Sequence, residues 1–257
     1  MLNLFLSHSK SIKNSIVLPF LNDLSLLNVP YWVDREKIFF GENIFDEIVK
    51  GINSSSHCIA FIDDSYLKGE WTMKELELFH DLEKETNTNI IFPIFCNTRK
   101  EDVYNNVKWL KDRAFETINN KEFGEGEREM IICRTINSLL KESCFTTDIS
   151  VLETLLKKEE LIPYSDYLRV IYESKYYISS DYKLTCIELC NLLVLLNIVN
   201  DVLAVPNSEL KRIVFKLPTY VKRIALKNAY YLNIDYITVL RRSICFITND
   251  ILQFLNS

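Results

Sequence analysis

The sequence predicts an α/β fold with a flavodoxin-like, five-stranded parallel sheet, followed by an α-helical bundle. In the first half of the 257-residue chain, short apolar runs alternate with stretches in which apolar residues recur every three to four positions. This alternation is typical of parallel strands joined by helical crossovers. The second half keeps only the helical periodicity, and all five glycines precede it, at positions 41, 51, 69, 124 and 126.

Five strands and about five helices are predicted in the first half, which is the pattern of a flavodoxin-like sheet. Pro19 lies within the first helical segment and should delay or kink that helix, because proline has no backbone N–H. The strands are expected at 2–6, 29–33, 58–62, 90–95 and, more weakly, 113–116. The helices are expected at 11–27, 44–52, 71–84, 103–110 and 129–140.

Five helical segments are predicted in the second half. Pro218 is expected to divide the fourth of them in two. A cluster of Ser, Thr and Asp between positions 143 and 150 predicts a loop between the two halves. We therefore expect a first domain at 1–145 and an α-helical C-terminal domain at 146–257. The helical segments are 152–161, 165–177, 183–199, 208–228 and 237–255.

Composition and charge narrow the class of protein. A net charge of -5 gives no whole-chain argument for nucleic-acid binding, so nucleic acid is not an expected partner. The seven cysteines are odd in number and irregularly spaced, which favours reduced thiols in a cytoplasm. The first six residues are too short for a secretory apolar region, and polar residues interrupt the apolar window 192–205. We therefore expect a cytoplasmic protein without a membrane segment.

A basic stretch lies in the second half. Between positions 209 and 227 there are six basic residues and one acidic residue. Such a stretch can bind an acidic partner or nucleic acid, but a solvated helix face beside an acidic neighbouring domain is the simpler interpretation. The basic residues are Lys211, Arg212, Lys216, Lys222, Arg223 and Lys227.

Polar residues follow the first three predicted strands. In an open parallel sheet, ligands bind beyond the carboxyl ends of the strands. Segments 7–10, 34–41 and 63–66 lie at these ends, and the third leads into a helix that carries Trp71 and Glu75. Because these two residues are four positions apart, they point to the same side of the helix. Together they can offer a nucleotide an aromatic wall and a carboxylate.

The usual cofactor and metal signatures are missing from the sequence. No G-x-G-x-x-G motif follows a strand, and no phosphate-binding G-x-x-x-x-G-K-S/T motif exists. Cys186 and Cys190 are one helical turn apart, but no His or second Cys pair accompanies them, so they are better explained as buried apolar residues. We expect neither a bound metal nor a cofactor.

Four motifs in order resemble a Toll/interleukin-1 receptor (TIR) domain of the bacterial, NAD-cleaving type. The resemblance covers roughly residues 1–140, and residues 151–257 carry no motif from which we can name a family. The last motif matches the position of the family's catalytic glutamate. The motifs are Phe5-Leu6-Ser7-His8-Ser9, Trp32-Val33-Asp34 with Gly41-Glu42, Ile59-Ala60-Phe61-Ile62 with Ser65-Tyr66-Leu67, and Trp71-x-x-x-Glu75-Leu76.

The resemblance implies that NAD+ is a substrate, not a cofactor. NAD+ would lose nicotinamide through an oxocarbenium-like transition state, which the catalytic Glu75 would stabilise electrostatically. Water as nucleophile would give ADP-ribose, and a group of the same molecule would give a cyclic ADP-ribose. The family association implies a role in bacterial anti-phage immunity. The implied substrate-binding residues are Ser7, His8, Asp34, Phe39, Gly41 and Trp71.

Each of these residues also has a plain structural interpretation. A glutamate near a helix start is usually just favoured by the helix dipole. Ser7 and His8 could simply end a strand, Asp34 could cap a turn, and Gly41 could serve the loop backbone. Trp71 alone is as readily explained as a half-buried aromatic residue.

A non-catalytic scaffold is the alternative function. Many TIR domains assemble through self-association, and three consecutive apolar residues, Ile38, Phe39 and Phe40, fall in a predicted exposed loop. Such a scaffold would bind partner TIR domains and leave NAD+ intact. The helical half could sense a trigger, oligomerise the chain or hold the first domain inactive.

Overall fold

The computed structural model describes residues 2–33, 40–119, 124–144, 146–173, 181–203, 208–227 and 234–256. The chain divides into two compact units, Met1–Arg128 and Glu129–Ser257. The first is an α/β unit and the second is helical, as the sequence predicts. The helix Glu125–Ser143 contains the division between the units. The expected domain boundary after residue 145 stays a prediction.

The first unit contains a five-stranded sheet in which every neighbouring pair of strands is parallel. The strands are β1 (Leu4–His8), β2 (Tyr31–Trp32), β3 (His57–Ile62), β4 (Ile91–Cys96) and β5 (Glu116–Ile118). Their order is β2-β1-β3-β4-β5, which confirms the flavodoxin-like prediction. The direction of winding reverses between β1 and β3, and such a reversal opens a crevice at the carboxyl ends of the strands.

The described residues of the first unit contain four helices: α1 (Leu18–Leu26), α2 (Ile44–Asn53), α3 (Glu70–Thr86) and α4 (Lys100–Asn106). A fifth helix, α5 (Glu125–Ser143), begins in the first unit and continues into the second. The late start predicted from Pro19 is confirmed, because residues Lys13–Val17 form a wider helical turn before α1 begins. The helix predicted at 103–110 is wrong in its bounds. Val107 leaves helical geometry, with φ -129° and ψ 78°, so α4 ends before it and a separate turn follows at Lys108–Asp112.

Aromatic packing holds β1, β2 and α3 together. Phe5 stacks on Trp32 with ring centroids 4.4 Å apart and meets Phe79 edge-on at 5.1 Å. Phe79 and Leu76 are buried on the same face of α3. This apolar face fixes which side of α3 turns toward the sheet, and so fixes where its polar residues lie.

A buried ion pair anchors the far end of α3. Glu83 accepts hydrogen bonds from the backbone N–H groups of Ile90 (2.8 Å) and Ile91 (3.0 Å). Arg113 donates two more, at 3.0 and 2.6 Å, in a bidentate arrangement. These contacts join α3 to the start of β4 and account for Glu83 as a structural residue.

The second unit continues α5 and adds five helices: α6 (Leu152–Leu155), α7 (Ser165–Glu173), α8 (Asp181–Leu203), α9 (Glu209–Lys227) and α10 (Ile234–Leu255). The helix predicted at 152–161 is too long, because Lys158 adopts an extended backbone and separates α6 from a turn at Glu159–Tyr164. The prediction that Pro218 divides the fourth segment is wrong. Burial of the apolar face around it, including Leu217 and Val221, offsets the missing backbone hydrogen bond.

The basic stretch of α9 is not a single exposed surface. Lys211 is buried and pairs with Asp250 at 2.6 Å, and Arg223 lies 3.8 Å from the buried Glu129. Arg212, Lys216 and Lys222 are exposed. No helix among the described residues has the length and hydropathy needed to cross a membrane.

Candidate active site

A cleft of about 710 Å³ opens at the carboxyl ends of β1 and β3, the two parallel strands between which the direction of winding reverses. This volume lies within the range of small-molecule sites. Its walls come from the segment after β1, from α2 and from the start of α3. Residues that line it include His8, Lys10, Ile44, Ile48, Trp71 and Glu75.

Glu75 combines burial with access to this cleft. It sits in the second turn of α3, beside the buried Leu76, and is 7% exposed. Ser7, in β1, donates a hydrogen bond from Oγ to Glu75 Oε2 at 2.5 Å. This length is typical of a hydroxyl that donates to an ionised carboxylate. Glu75 therefore presents a carboxyl group to the cleft that the Ser7 hydroxyl holds in place.

Trp71 stands one helical turn before Glu75, at the mouth of the cleft. It is 43% exposed, and its indole lies 6.4 Å from the ring of Phe45 in α2. Lys74 places its ammonium group 4.1 Å from the centre of the Phe45 ring and 5.7 Å from that of Trp71. The mouth thus presents an accessible aromatic face, with a cation held against it by cation–π attraction.

A second polar network ties the segment after β1 to the segment after β3. Asp63 accepts from the backbone N–H of Tyr66 at 2.8 Å and from the hydroxyl of Ser11. Ser11 in turn lies 2.6 Å from Ser9, oxygen to oxygen. These bonds explain why Asp63 is buried, and they hold two walls of the cleft at a fixed separation.

Two further buried groups lie near Glu75. Tyr66 is fully buried, and its Oη lies 2.8 Å from Ser7 Oγ. Burial, then the neighbouring Cys58 and Glu75, raise the pKa of Tyr66 well above its usual range. Burial and the charge of Glu75 likewise raise the pKa of Cys58, which therefore stays a thiol and is unsuited to act as a nucleophile.

Four of the seven residues predicted for the site lie together. His8, Trp71 and Glu75 line the cleft, and Ser7 contacts Glu75 directly. Gly41 is described and exposed, with a positive φ of 93° that favours glycine, and it does not line the cleft in the described part of the chain. Asp34 and Phe39 lie outside the described residues.

Sequence reasoning gave no role to Tyr66 or to the aromatic and cationic neighbours of Trp71. A buried tyrosine hydroxyl requires a hydrogen-bond partner, so Tyr66 beside an apolar strand was a usable signal. Phe45 and Lys74 carried no such signal, because their proximity depends on how α2 packs against α3.

The fold and the cleft define a doubly wound α/β protein with a carboxylate at its switch point. Comparison with known families narrows this class, because a profile described as "TIR domain" matches residues 4–130. Residues 4–130 of this chain are therefore a TIR domain, as the four motifs predict.

Several curated proteins resemble the TIR part. The NAD(+) hydrolase TcpC of Escherichia coli O6:H1 is 27% identical over 109 residues, which is 42% of this chain and 36% of TcpC. The probable 2′ cyclic ADP-D-ribose synthase TcpO of Methanobrevibacter olleyae is 29% identical over 102 residues, 39% of this chain and 29% of TcpO. The 2′ cyclic ADP-D-ribose synthase AbTIR of Acinetobacter baumannii is 28% identical over 113 residues, 44% of this chain and 41% of AbTIR.

The match spans less than half the length of each of these relatives. Among solved structures, the TIR domains of the activated Roq1 resistosome, which recognises the effector XopQ, align with 43% of this chain and 71% of that chain. They are 18% identical with a TM-score of 0.38, a likeness too low to carry an argument.

Proposed function

We propose that this protein cleaves NAD+ at the bond between nicotinamide and ribose, with Glu75 as the catalytic carboxylate. The observation that carries the proposal is a buried carboxylate beside an accessible indole in a cleft of nucleotide size. The relatives named as an NAD(+) hydrolase and as 2′ cyclic ADP-D-ribose synthases support the same reaction class.

The charge on Glu75 suits the way this bond breaks. The electron pair of the C1′–N bond leaves with nicotinamide, so the positive charge moves from the pyridinium ring to the ribose as an oxocarbenium ion. A carboxylate fixed in a poorly solvated site stabilises this developing charge more than it stabilises the ground state. Nicotinamide departs as a neutral molecule, so the leaving group requires no proton donor.

The aromatic face of Trp71 would bind a flat or apolar part of the nucleotide beside Glu75. Indoles contribute large contact areas with defined geometry, and this one is only half covered by protein. We propose that His8 contacts the nucleotide from the end of β1. Asp34, Phe39 and Gly41 remain proposed substrate-binding residues of the loop that follows β2.

The product depends on which nucleophile attacks C1′. Water gives ADP-ribose, and a hydroxyl of the same nucleotide gives a cyclic ADP-ribose with no net uptake of water. Mass spectrometry separates these outcomes, because ADP-ribose is heavier than its cyclic form by one water molecule.

The decisive experiment compares NAD+ consumption by the purified wild-type protein and a Glu75→Gln variant. Removal of one electrostatic contact to a transition state costs roughly 10²–10³-fold in rate, so the variant should be nearly inactive. Glu77→Gln is the matched control, because Glu77 is an exposed carboxylate on the same helix. Equal consumption by wild type and Glu75→Gln would refute the assignment, provided that both variants melt at the same temperature.

A second candidate function is a non-catalytic scaffold that acts through TIR–TIR self-association or through partner TIR domains. The observation that favours it is Phe40, a large aromatic side chain that is fully exposed beside Gly41. Phe40→Asp should weaken self-association in sedimentation velocity without lowering stability. A chain that assembles while NAD+ stays intact would favour the scaffold over the enzyme.

We further propose that the protein acts in the cytoplasm in anti-phage immunity and that residues 146–257 form a separate domain that regulates or oligomerises the TIR domain. If so, phage infection should deplete NAD+ in cells that express the wild type but not in cells that express Glu75→Gln. A fragment of residues 1–145 should fold, and its mass and turnover should differ from those of the full chain.

A further inference from the structure

Two buried hydroxyl groups and the carboxylate of Glu75 form a series of two hydrogen bonds. Tyr66 Oη lies 2.8 Å from Ser7 Oγ, and Ser7 Oγ lies 2.5 Å from Glu75 Oε2. Ser7 is 1% exposed and Tyr66 is 0% exposed, so neither hydroxyl is available to solvent. The three residues come from three different elements: the end of β1, the turn Tyr66–Lys68 and the second turn of α3.

The direction of these hydrogen bonds follows from a count of protons. Each hydroxyl carries one proton, and an ionised carboxylate can only accept. The Ser7 hydroxyl therefore donates its one hydrogen bond to Glu75 and accepts one from Tyr66, so Tyr66 is the donor of the second bond. The result is a one-way chain, Tyr66 to Ser7 to Glu75, which is complete only while Glu75 is ionised.

We propose that Ser7 and Tyr66 are positioning residues that keep Glu75 ionised and aimed at the cleft, an inference that rests on the proposed function. Hydrogen bonds donated to the charged form of an acid favour that form. The second hydroxyl polarises the first and so strengthens its bond to the carboxylate. Neither side chain needs to touch the nucleotide for this effect.

The backbone of Tyr66 is fixed on both sides, which keeps the chain in place. Its N–H donates to Asp63 at 2.8 Å, and its carbonyl accepts from the hydroxyl of Thr72 at 2.6 Å. Thr72 belongs to the first turn of α3. The helix that carries Glu75 is therefore hydrogen-bonded to Tyr66, the first donor in the series Tyr66–Ser7–Glu75. Because burial raises the pKa of Tyr66, its phenol keeps the proton that it must donate.

Ser7→Ala and Tyr66→Phe remove one hydroxyl each and keep most of the packing. A hydrogen bond to a charged group is worth enough that its loss should lower kcat roughly 10–100-fold for Ser7→Ala, and less for the more distant Tyr66→Phe. KM should change little, because both side chains are buried and neither is among the residues that line the cleft, so that Ser7 would act on the nucleotide only through Glu75. In wild type, protonation of Glu75 breaks the hydrogen bond that Ser7 donates to the carboxylate. In both variants this bond is lost or weakened, so the pKa of Glu75 should rise and the acidic limb of the pH–rate profile should move to higher pH.

The controls remove comparable hydroxyls away from the cleft. Ser55 is buried before β3, at the opposite end of the strands, and its hydroxyl donates to the carbonyl of Gly51 at 2.7 Å. Tyr104 packs edge-on against Phe95 and Phe115 from α4. Ser55→Ala and Tyr104→Phe should leave kcat and the pH profile at wild-type values.

A readout without turnover separates this inference from the proposed function. Carbon-13 NMR of protein labelled at glutamate side chains, with the signal of Glu75 assigned from Glu75→Gln, follows ionisation of that carboxylate directly. Its titration midpoint should rise in Ser7→Ala and Tyr66→Phe. An unchanged midpoint in Tyr66→Phe and in folded Ser7→Ala overturns the inference, even if wild type cleaves NAD+. If the midpoint shifts but the wild-type protein leaves NAD+ intact, the positioning role of Ser7 and Tyr66 is supported and only the proposed NAD+ cleavage is rejected.

Discussion

Gly51→Ala should destabilise this protein, although the same change usually stabilises a helix. Gly51 lies in α2, where alanine is favoured over glycine by about 1 kcal/mol. A Cβ atom at Gly51 would fall 2.5 to 2.9 Å from three carbons of the Trp32 indole. Carbon atoms normally approach no closer than about 3.5 Å, so the helix or the indole must move by roughly 1 Å.

The indole has little room to move. Phe5 already stacks on Trp32 at 4.4 Å, with an interplanar angle of 11°, and so fills the face of the indole that it covers. Overpacking of this kind costs about 1–3 kcal/mol, which exceeds the gain in helix propensity. After the helix-propensity gain of about 1 kcal/mol is subtracted, the free energy of unfolding should fall by up to about 2 kcal/mol. The cleft should also change, because Ile48 lines it from the same helix.

Gly126→Ala provides the matched control. Gly126 lies in the first turn of α5, and an added Cβ would meet nothing within 4 Å. This variant should gain up to about 0.5 kcal/mol, because helix propensity counts for less at the end of a helix. Urea denaturation monitored by circular dichroism measures both values. If Gly51→Ala proves as stable as Gly126→Ala, the packing of Trp32 described above is wrong.

Three further predictions concern ionisable groups that are partly or fully buried. Arg113→Met removes the guanidinium group from the buried Glu83 and should lower the free energy of unfolding in urea by about 2–4 kcal/mol. A loss below about 1 kcal/mol would contradict a buried ion pair. Burial and the neighbouring Cys144 raise the pKa of Cys245 to about 12. The prediction that Cys190 is buried is wrong, because its side chain is exposed. Peptide-resolved alkylation at pH 8 should therefore modify Cys190 at least ~10³-fold faster than Cys245. Burial raises the pKa of Glu127, so its negative charge opposes folding at pH values above that pKa. Glu127→Gln should therefore raise Tm at pH 7. An equal gain in Tm at pH 3, where the carboxyl is protonated, would argue against this cause.

Much of the fold could be predicted from local patterns. The apolar run 58–62 and the helical periodicity of 71–84 correspond to β3 and α3 within one or two residues. Errors arose where local rules competed with packing. Pro218 breaks helices in isolation, but the buried face around it keeps α9 continuous. Lys158 interrupts a segment whose apolar spacing is helical throughout.

The candidate site was predictable only in part, for a similar reason. Trp71 and Glu75 belong to one helix, so their common side follows from spacing alone. Ser7 and Tyr66 are 59 positions apart, and nothing in their spacing indicates that their hydroxyls meet. Phe45 and Lys74 likewise come together only because α2 packs beside α3.

The sequence by itself determined the order of strands and helices along the chain and the helical character of the second half. It also placed an indole and a carboxylate on the same side of one helix. Each of these features depends on periodicity within a short segment. Only the tertiary structure decided which hydroxyls donate toward Glu75 and which glutamate of α3 is structural, because those contacts join residues that are distant along the chain. Glu75 and Glu83 are both buried on the same helix. Two backbone amides and an arginine surround Glu83, whereas Glu75 lies at the wall of a cleft.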